Sequence, residues 1–216
     1  MNIKERIILN KNAIIEYIRA EDNIDPSMAW RFSVLDQSRL PMVIRGTWIF
    51  DVPLDVNVMK AGLKKLLNYY PHLSGRMKDK TGIHLTNDGV PFIVANEPDL
   101  LIADAYRKYK KDDHINHFSV EIKPFRIKRG IDAPLSVKIT RLKDGSVLGI
   151  QCSHACMDGN SFYTMVYNWG RSVKKKILEN QFLISRCFLL RKIFLRIRWN
   201  KLLMSKARKR SPHYLF

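Results

Sequence analysis

Apolar positions along this chain recur at two periods. Residues 55–70 (DVNVMKAGLKKLLNYY) carry the helical one: Val58, Leu63, Leu66, Leu67 and Tyr70 fall near one face, and Lys60, Lys64 and Lys65 fall mostly off it. Asp55 stands where an N-cap belongs, and Pro71 stops the helix because it lacks an N–H and disfavours αR in the residue before it. A second helix is predicted from Gly159 to about residue 175, with Phe162, Met165, Val166 and Trp169 inward. Shorter helices are predicted over residues 13–19 and 99–109. The other period is two. Leu135, Val137 and Ile139 alternate with Ser136, Lys138 and Thr140, and Leu148, Ile150 and Cys152 share a face that His154 continues. Lys143-Asp144-Gly145 turns these runs, 134–141 and 146–153, into a hairpin. Residues 42–50 (MVIRGTWIF), β-branched and aromatic between Pro41 and Pro53, predict another strand. Gly75-Arg76-Met77 leads into a predicted strand pair at 83–85 and 91–94, turned by Asp88-Gly89. Residues 22–26 read as a turn and 110–117 as a charged loop. Strands mixed with helices in this order imply an α/β two-layer sandwich, a mixed β-sheet with helices packed on it.

Charge alters this picture at one end. The 216 residues carry a formal charge of +18, which by itself suggests a nucleic-acid binder. The charge is concentrated, however: residues 171–216 hold 14 Lys and Arg against Glu179 alone, whereas residues 1–170 hold 24 against 19 acids. The expected organisation is a mildly basic half-domain over 1–177 and a basic, poorly patterned tail over 178–216. In that tail Phe182, Leu183, Phe188 and Leu189 scatter around the helical wheel with Arg186, Arg191 and Lys192. It shows no aromatic-interleaved RNA motif and no clean amphipathic face, so no specific nucleic acid is expected as a partner. No apolar run approaches the ~20 residues a bilayer span needs. The charged start, MNIKERIILNKN, does not read as a secretory signal. Cys152, Cys156 and Cys187 form no disulfide framework, and a reducing cytoplasm is the expected location.

Candidate chemistry sits at the end of the second hairpin strand, in His154-Ala155-Cys156-Met157-Asp158-Gly159-Asn160-Ser161-Phe162. A histidine leaving a strand end can face a cleft while the sheet holds its backbone, and imidazole is the side chain suited to moving a proton near pH 7. Asp158 is placed to anchor the turn, through an arginine or backbone N–H groups. Gly159 is expected to take φ > 0 and open the helix, and Ser161 to cap it. Alone, H-x-x-x-D-G is a weak motif.

Other segments fall in order around it: Val34-Leu35-Asp36-Gln37, Leu66 to Arg76 (LLNYYPHLSGR), Asn87-Asp88-Gly89-Val90-Pro91-Phe92, the 133–150 hairpin, and Trp169 after Phe162. Together, over roughly residues 25–172, they resemble the N-terminal half of the plant-type BAHD acyltransferases, in the superfamily with the chloramphenicol acetyltransferase fold. The resemblance implies transfer of an acyl group from an acyl-CoA thioester to an alcohol or amine, with His154 as general base. It implies structural support of the site by Asp158 and Gly159. It implies no bound cofactor: acyl-CoA is a co-substrate, and the other partner is a small-molecule acceptor. Members of this family are longer, with a second half that carries a D-F-G-W-G motif, and this chain has none. The missing wall of the cleft is expected from a second half-domain or from a homo-oligomer. The other reading is a truncated, catalytically incompetent relative whose basic tail binds anionic surfaces nonspecifically.

The remaining candidates read as structural. Cys152-x-His154-x-Cys156 lacks a second ligand pair, so no metal is expected. His72, His84, His114, His117 and His213 have no acid–base partner legible in the sequence, and His114 and His117 are expected to be solvated. Asp36 lines the cleft or builds a turn; Arg76 is expected to support the fold.

Overall fold

A computed structural model describes residues 13–79, 81–110 and 117–173. A five-stranded sheet runs in the order β1 (Ile14–Ile18), β6 (Val90–Glu97), β7 (Leu135–Leu142), β8 (Ser146–Ser153), β3 (Val43–Phe50). Only β6 and β7 are parallel; the other pairs are antiparallel. A separate antiparallel sheet joins β2 (Ala29–Arg31), β5 (Gly82–His84) and β4 (Arg76–Asp79). The helices are α1 (Val34–Ser38), α2 (Val56–Tyr69), α3 (Ile102–Lys110), α4 (Pro124–Lys128) and α5 (Gly159–Val173), with a 3₁₀ turn at Pro71–Ser74. The mixed α/β class is as the pattern predicts.

One face of the large sheet is apolar. The register places Leu135 opposite Cys152, Val137 opposite Ile150 and Ile139 opposite Leu148, all in one core cluster with Leu63, Leu66, Leu67, Phe162 and Trp169 from α2 and α5. The carboxylate of Asp55 accepts from the N–H groups of Asn57 and Val58 and so starts α2. At Gly62 a Cβ would lie 2.7 Å from the Val173 side chain, so the two helices meet closely there, and the Trp169 indole donates to the Met59 carbonyl at 3.0 Å.

The opposite face mixes polar residues with smaller apolar clusters and is also buried. A parallel pair needs a long crossover, and the one between β6 and β7 lays residues 118–122 across this face. The Ser136 hydroxyl donates to the Val120 carbonyl at 2.8 Å, and the Gln151 amide accepts from Ile122 N–H at 3.0 Å and donates to the Ser119 hydroxyl at 2.7 Å. A Cβ on Gly149 would stand 1.9 Å from the Phe118 carbonyl oxygen, so only glycine admits this approach. The ammonium of Lys138 donates to the His117 carbonyl.

Three expectations are corrected. Residues 13–19 form no helix: Ile14–Ile18 is a strand, because pairing with β6 outweighs the weak preference of Ile-rich sequence for either state. The runs at 83–85 and 91–94 do not pair with each other. β5 joins the small sheet and β6 the large one, and the left-handed residues Asn87 and Gly89 carry the chain between them. That crossing is tied by Arg76, whose guanidinium donates to the Gly75 and Gly89 carbonyls at 2.8 and 3.0 Å, and by Asn87, which accepts from Ala20 N–H at 2.9 Å. Val58 is 41% exposed; the buried stripe of α2 is Val56, Met59, Leu63, Leu66 and Leu67.

Candidate active site

The second hairpin strand ends at Ser153, whose N–H donates to the Pro134 carbonyl at 2.8 Å. His154 N–H then donates to the Met42 carbonyl at 2.9 Å, which ties the histidine backbone to the start of β3. Cys156 N–H turns back to the Ser153 carbonyl at 3.1 Å, so the chain leaves the sheet in one tight step. Ala155, Cys156 and Met157 are buried, and they sink the turn into the core. His154 itself is half-buried, and its Nδ1 has no hydrogen-bond partner among the described residues.

Asp158 is exposed and begins α5. Its Oδ1 accepts from Ser161 N–H at 2.8 Å, and its carbonyl accepts from Phe162 N–H at 2.9 Å, the first helical bond. The cap is therefore Asp158, not Ser161 as expected, because the carboxylate stands at the right offset to take an otherwise unpaired N–H. The Ser161 N–H, then its hydroxyl, hold this carboxyl below its ordinary value, with lesser help from His154 and Arg39. Gly159 also departs from expectation. Among the described residues positive φ occurs only at Asn87, Gly89 and Gly130, and a Cβ on Gly159 would meet nothing within 4 Å. The turn needs no glycine-only backbone there.

Helix α1 borders this turn. Ser33 and Asp36 form a reciprocal capping box at its start, so Asp36 does build a turn. The Asp36 charge also reaches the Cys156 thiol, which burial first and Asp36 second push far up; burial does the same to Cys152. Both thiols are free and buried. Among the described residues no group of three His, Cys, Asp or Glu could hold a metal ion.

The other histidines divide. His72, which the sequence left without a role, is 5% exposed and stacks on Trp30 with ring centroids 4.5 Å apart. Burial lowers its pKa to about 4, so it is neutral. Nothing in the spacing of residues 30 and 72 signals this contact; only the fold brings them together. His84 belongs to the small sheet, 2.9 Å from Asp79. His117 is not solvated as expected: it is half-buried, with Nε2 2.7 Å from Glu97, because the crossover presses it onto the sheet. His114 and His213 lie outside the described residues, as does the tail over 178–216. Among the described residues no helix is long and apolar enough to cross a membrane.

A profile of the Transferase family matches residues 16–200. The chain belongs to that family, the one that holds the BAHD acyltransferases its motifs resemble. It is 27% identical over 174 residues to vinorine synthase of Rauvolfia serpentina, covering 74% of this chain and 41% of that protein. It is 29% identical over 127 residues to the BAHD acyltransferase DCR of Arabidopsis thaliana, covering 53% of this chain and 25% of that one. The crystal structure of vinorine synthase superposes with a TM-score of 0.64 at 22% identity over 83% of this chain and 45% of the other. That of F. graminearum TRI101, complexed with coenzyme A and T-2 mycotoxin, superposes with a TM-score of 0.58 at 12% identity over 71% and 41%. These likenesses carry the chloramphenicol acetyltransferase-like fold. The Transferase-family chain spans less than half the length of the relatives it matches.

Proposed function

We propose that this chain is the N-terminal, histidine-bearing half of an acyl-CoA-dependent acyltransferase and that His154 is its general base. One observation carries the reading: a half-buried imidazole stands at the end of β8, its backbone tied to β3 and its Nδ1 unbonded among the described residues, at the foot of a helix that Asp158 caps. The ring takes the proton of an acceptor hydroxyl or amine as that oxygen or nitrogen forms a bond to the thioester carbonyl carbon. The resulting oxyanion collapses, the C–S bond breaks, and the imidazolium returns the proton to the sulfur of departing coenzyme A. No protein nucleophile is needed, which agrees with two thiols held protonated by burial. Asp158 and Gly159 support the site by starting α5. The complex of TRI101 with coenzyme A and T-2 mycotoxin supports acyl-CoA and a small molecule as the substrates. The half-domain runs over residues 1–177, and a second half or a second copy supplies the other wall. Free, buried thiols at Cys152 and Cys156 agree with a cytoplasmic protein.

Thiol release from acetyl-CoA with a panel of alcohols and amines tests the reading. His154→Ala is expected to lower turnover about 10²–10⁴-fold with the thermal transition unchanged; equal turnover overturns it. The concentration of charge in residues 171–216, 14 Lys and Arg against Glu179 alone, favours a second reading, an incompetent relative whose basic tail binds anionic surfaces. Turnover at the buffer rate together with salt-sensitive binding to anionic vesicles would establish that one.

A further inference from the structure

The large sheet ends in β3, and one side of that strand's backbone is unused. His154 N–H donates to the Met42 carbonyl at 2.9 Å, and Ser153 N–H donates the other way, to the Pro134 carbonyl at 2.8 Å. Even-numbered residues of β8 therefore bond β3, and odd-numbered ones bond β7. The register runs unbroken from Val43 opposite Ser153 to Phe50 opposite Ser146, so the alternation turns Ile44, Gly46, Trp48 and Phe50 toward β8. The N–H and C=O groups of Val43, Arg45, Thr47 and Ile49 point outward, where no described strand pairs with them. Nothing guards this edge. It is eight residues long without a proline or a bulge, and its only charge is Arg45. Partly buried apolar side chains flank it on both faces, Ile44, Trp48 and Phe50 against the main core and Ile49 against the cluster of Phe118 and Val147.

Such an edge accepts a further strand, and its own sequence fits a second copy. A two-fold axis normal to the sheet makes outward groups meet only where residues of the same parity stand opposite, so the axis passes through a residue. At Arg45 it would set like charges against each other. At Thr47 it pairs Thr47 with Thr47, Arg45 with Ile49, Gly46 with Trp48 and Ile44 with Phe50. Exposed Asp51, just beyond the strand, then comes opposite Val43, on the diagonal from Arg45 of the other copy, a spacing of roughly 7–8 Å that long side chains span. By symmetry this ion pair occurs twice. The same register sets Val52, 40% exposed, opposite Met42, 53% exposed, on the face that His154 shares. We propose that two copies of this chain pair edge to edge through β3, antiparallel about a two-fold axis at Thr47, and that Val52 of each copy closes the side of the other's His154 site next to Met42. The consequence for the site rests on His154 being the base; the pairing does not.

Sedimentation of the full-length chain over a dilution series reads the pairing, and wild type is expected to be a concentration-dependent dimer. Arg45→Asp sets like charges across the diagonal and is expected to weaken the dimer by about tenfold or more. Adding Asp51→Arg to it restores opposite charges and should return the affinity toward wild type. Arg45 and Asp51 are both exposed, so neither change disturbs the fold. In a Cys187→Ser background, Thr47→Cys is expected to form an intermolecular disulfide on mild oxidation, because a hydrogen-bonded antiparallel pair spaces its Cα atoms about 5.5 Å apart. Val58→Cys, on the exposed flank of α2, should not. The Cε1–Hε1 resonance of His154, assigned by its loss in His154→Ala, is expected to differ between wild type and the dissociated Arg45→Asp chain. A monomer at every concentration overturns the proposal, as does a dimer indifferent to Arg45→Asp or one that Thr47→Cys leaves unlinked. Amides of Val43, Arg45, Thr47 and Ile49 protected from hydrogen exchange in a monomer mean that another segment covers the edge, which also overturns it. A His154 resonance unmoved by dissociation overturns the place of Val52 beside the site. Turnover unaffected by His154→Ala would instead overturn the base assignment and leave the dimer standing.

Discussion

The two faces of the five-stranded sheet are equally buried by different means. One is closed by hydrocarbon: Leu135, Val137, Ile139, Leu148 and Ile150 against Leu63, Leu66, Phe162 and Trp169. The other combines smaller apolar clusters, Phe118 with Val147 and Ile93 with Val120, with hydrogen bonds from the crossover to Ser136 and Gln151, and Gly149 is left bare so that the Phe118 carbonyl can approach. Hydrophobic contact is non-directional, so the first face fails in proportion to the volume removed. Hydrogen bonds come in matched pairs, so the second face fails by leaving a partner orphaned, even where volume is conserved. The same strand, β8, contributes to both and then delivers His154.

The largest expected effect is on the apolar face. Trp169→Ala empties a site between α2 and α5 and is expected to cost about 4 kcal/mol in denaturant unfolding; a loss under about 1 kcal/mol would show that the helices collapse into the gap. Across the sheet, Gln151→Leu conserves volume yet strands Ile122 N–H and removes the bond to the Ser119 hydroxyl, for an expected cost of about 3 kcal/mol. Val137→Ile, a methylene added to the apolar face, should cost less than that. Equal costs for the two would remove the distinction between the faces.

His72 brings an ionisable group to the apolar side, and pH sharpens the comparison there. Folding lowers its pKa from 6.5 to about 4, so between those values the unfolded chain binds a proton that the folded chain does not. Its contribution is fully present above pH 6.5 and is lost progressively as pH falls toward 4, by about 3 kcal/mol in all. Urea titrations of wild type and His72→Phe between pH 7 and 4 check this: the stability gap should change across that window in favour of the variant at low pH. The smallest effects belong to the start of α5. Asp158→Ala removes the cap and should cost about 1 kcal/mol. Gly159→Ala, with open space at the Cβ and no positive φ, should be neutral or stabilise by up to about 1 kcal/mol. A large loss at Gly159 would mean that a second half-domain or another copy packs against that helix start.

Local chemistry made much of this molecule legible. Asp55 caps α2 and Pro71 ends it as their backbone preferences require, and the 143–145 turn pairs β7 with β8. The H-x-x-x-D-G segment falls at a strand end and a helix start, as its residue types demanded. Local chemistry misled where two elements compete for one strand. Asp88-Gly89 has turn residues, but turn residues set only φ and ψ; that β5 and β6 separate into two sheets was decided by β1 and β7 pairing with β6. Ile14, Ile15 and Ile18 fit a helix stripe or an edge strand, and the partner chose.

The sequence by itself determined the helices and strands with strong period, the hairpin, and the histidine at its end, because each follows from the preferences of residues near one another. Tertiary structure alone decided that Ser136, Lys138 and Gln151 are buried rather than solvated. Those outcomes depend on which distant backbone groups arrive next to a side chain, and the physical reason is that a buried donor or acceptor takes whatever partner the packing brings within reach.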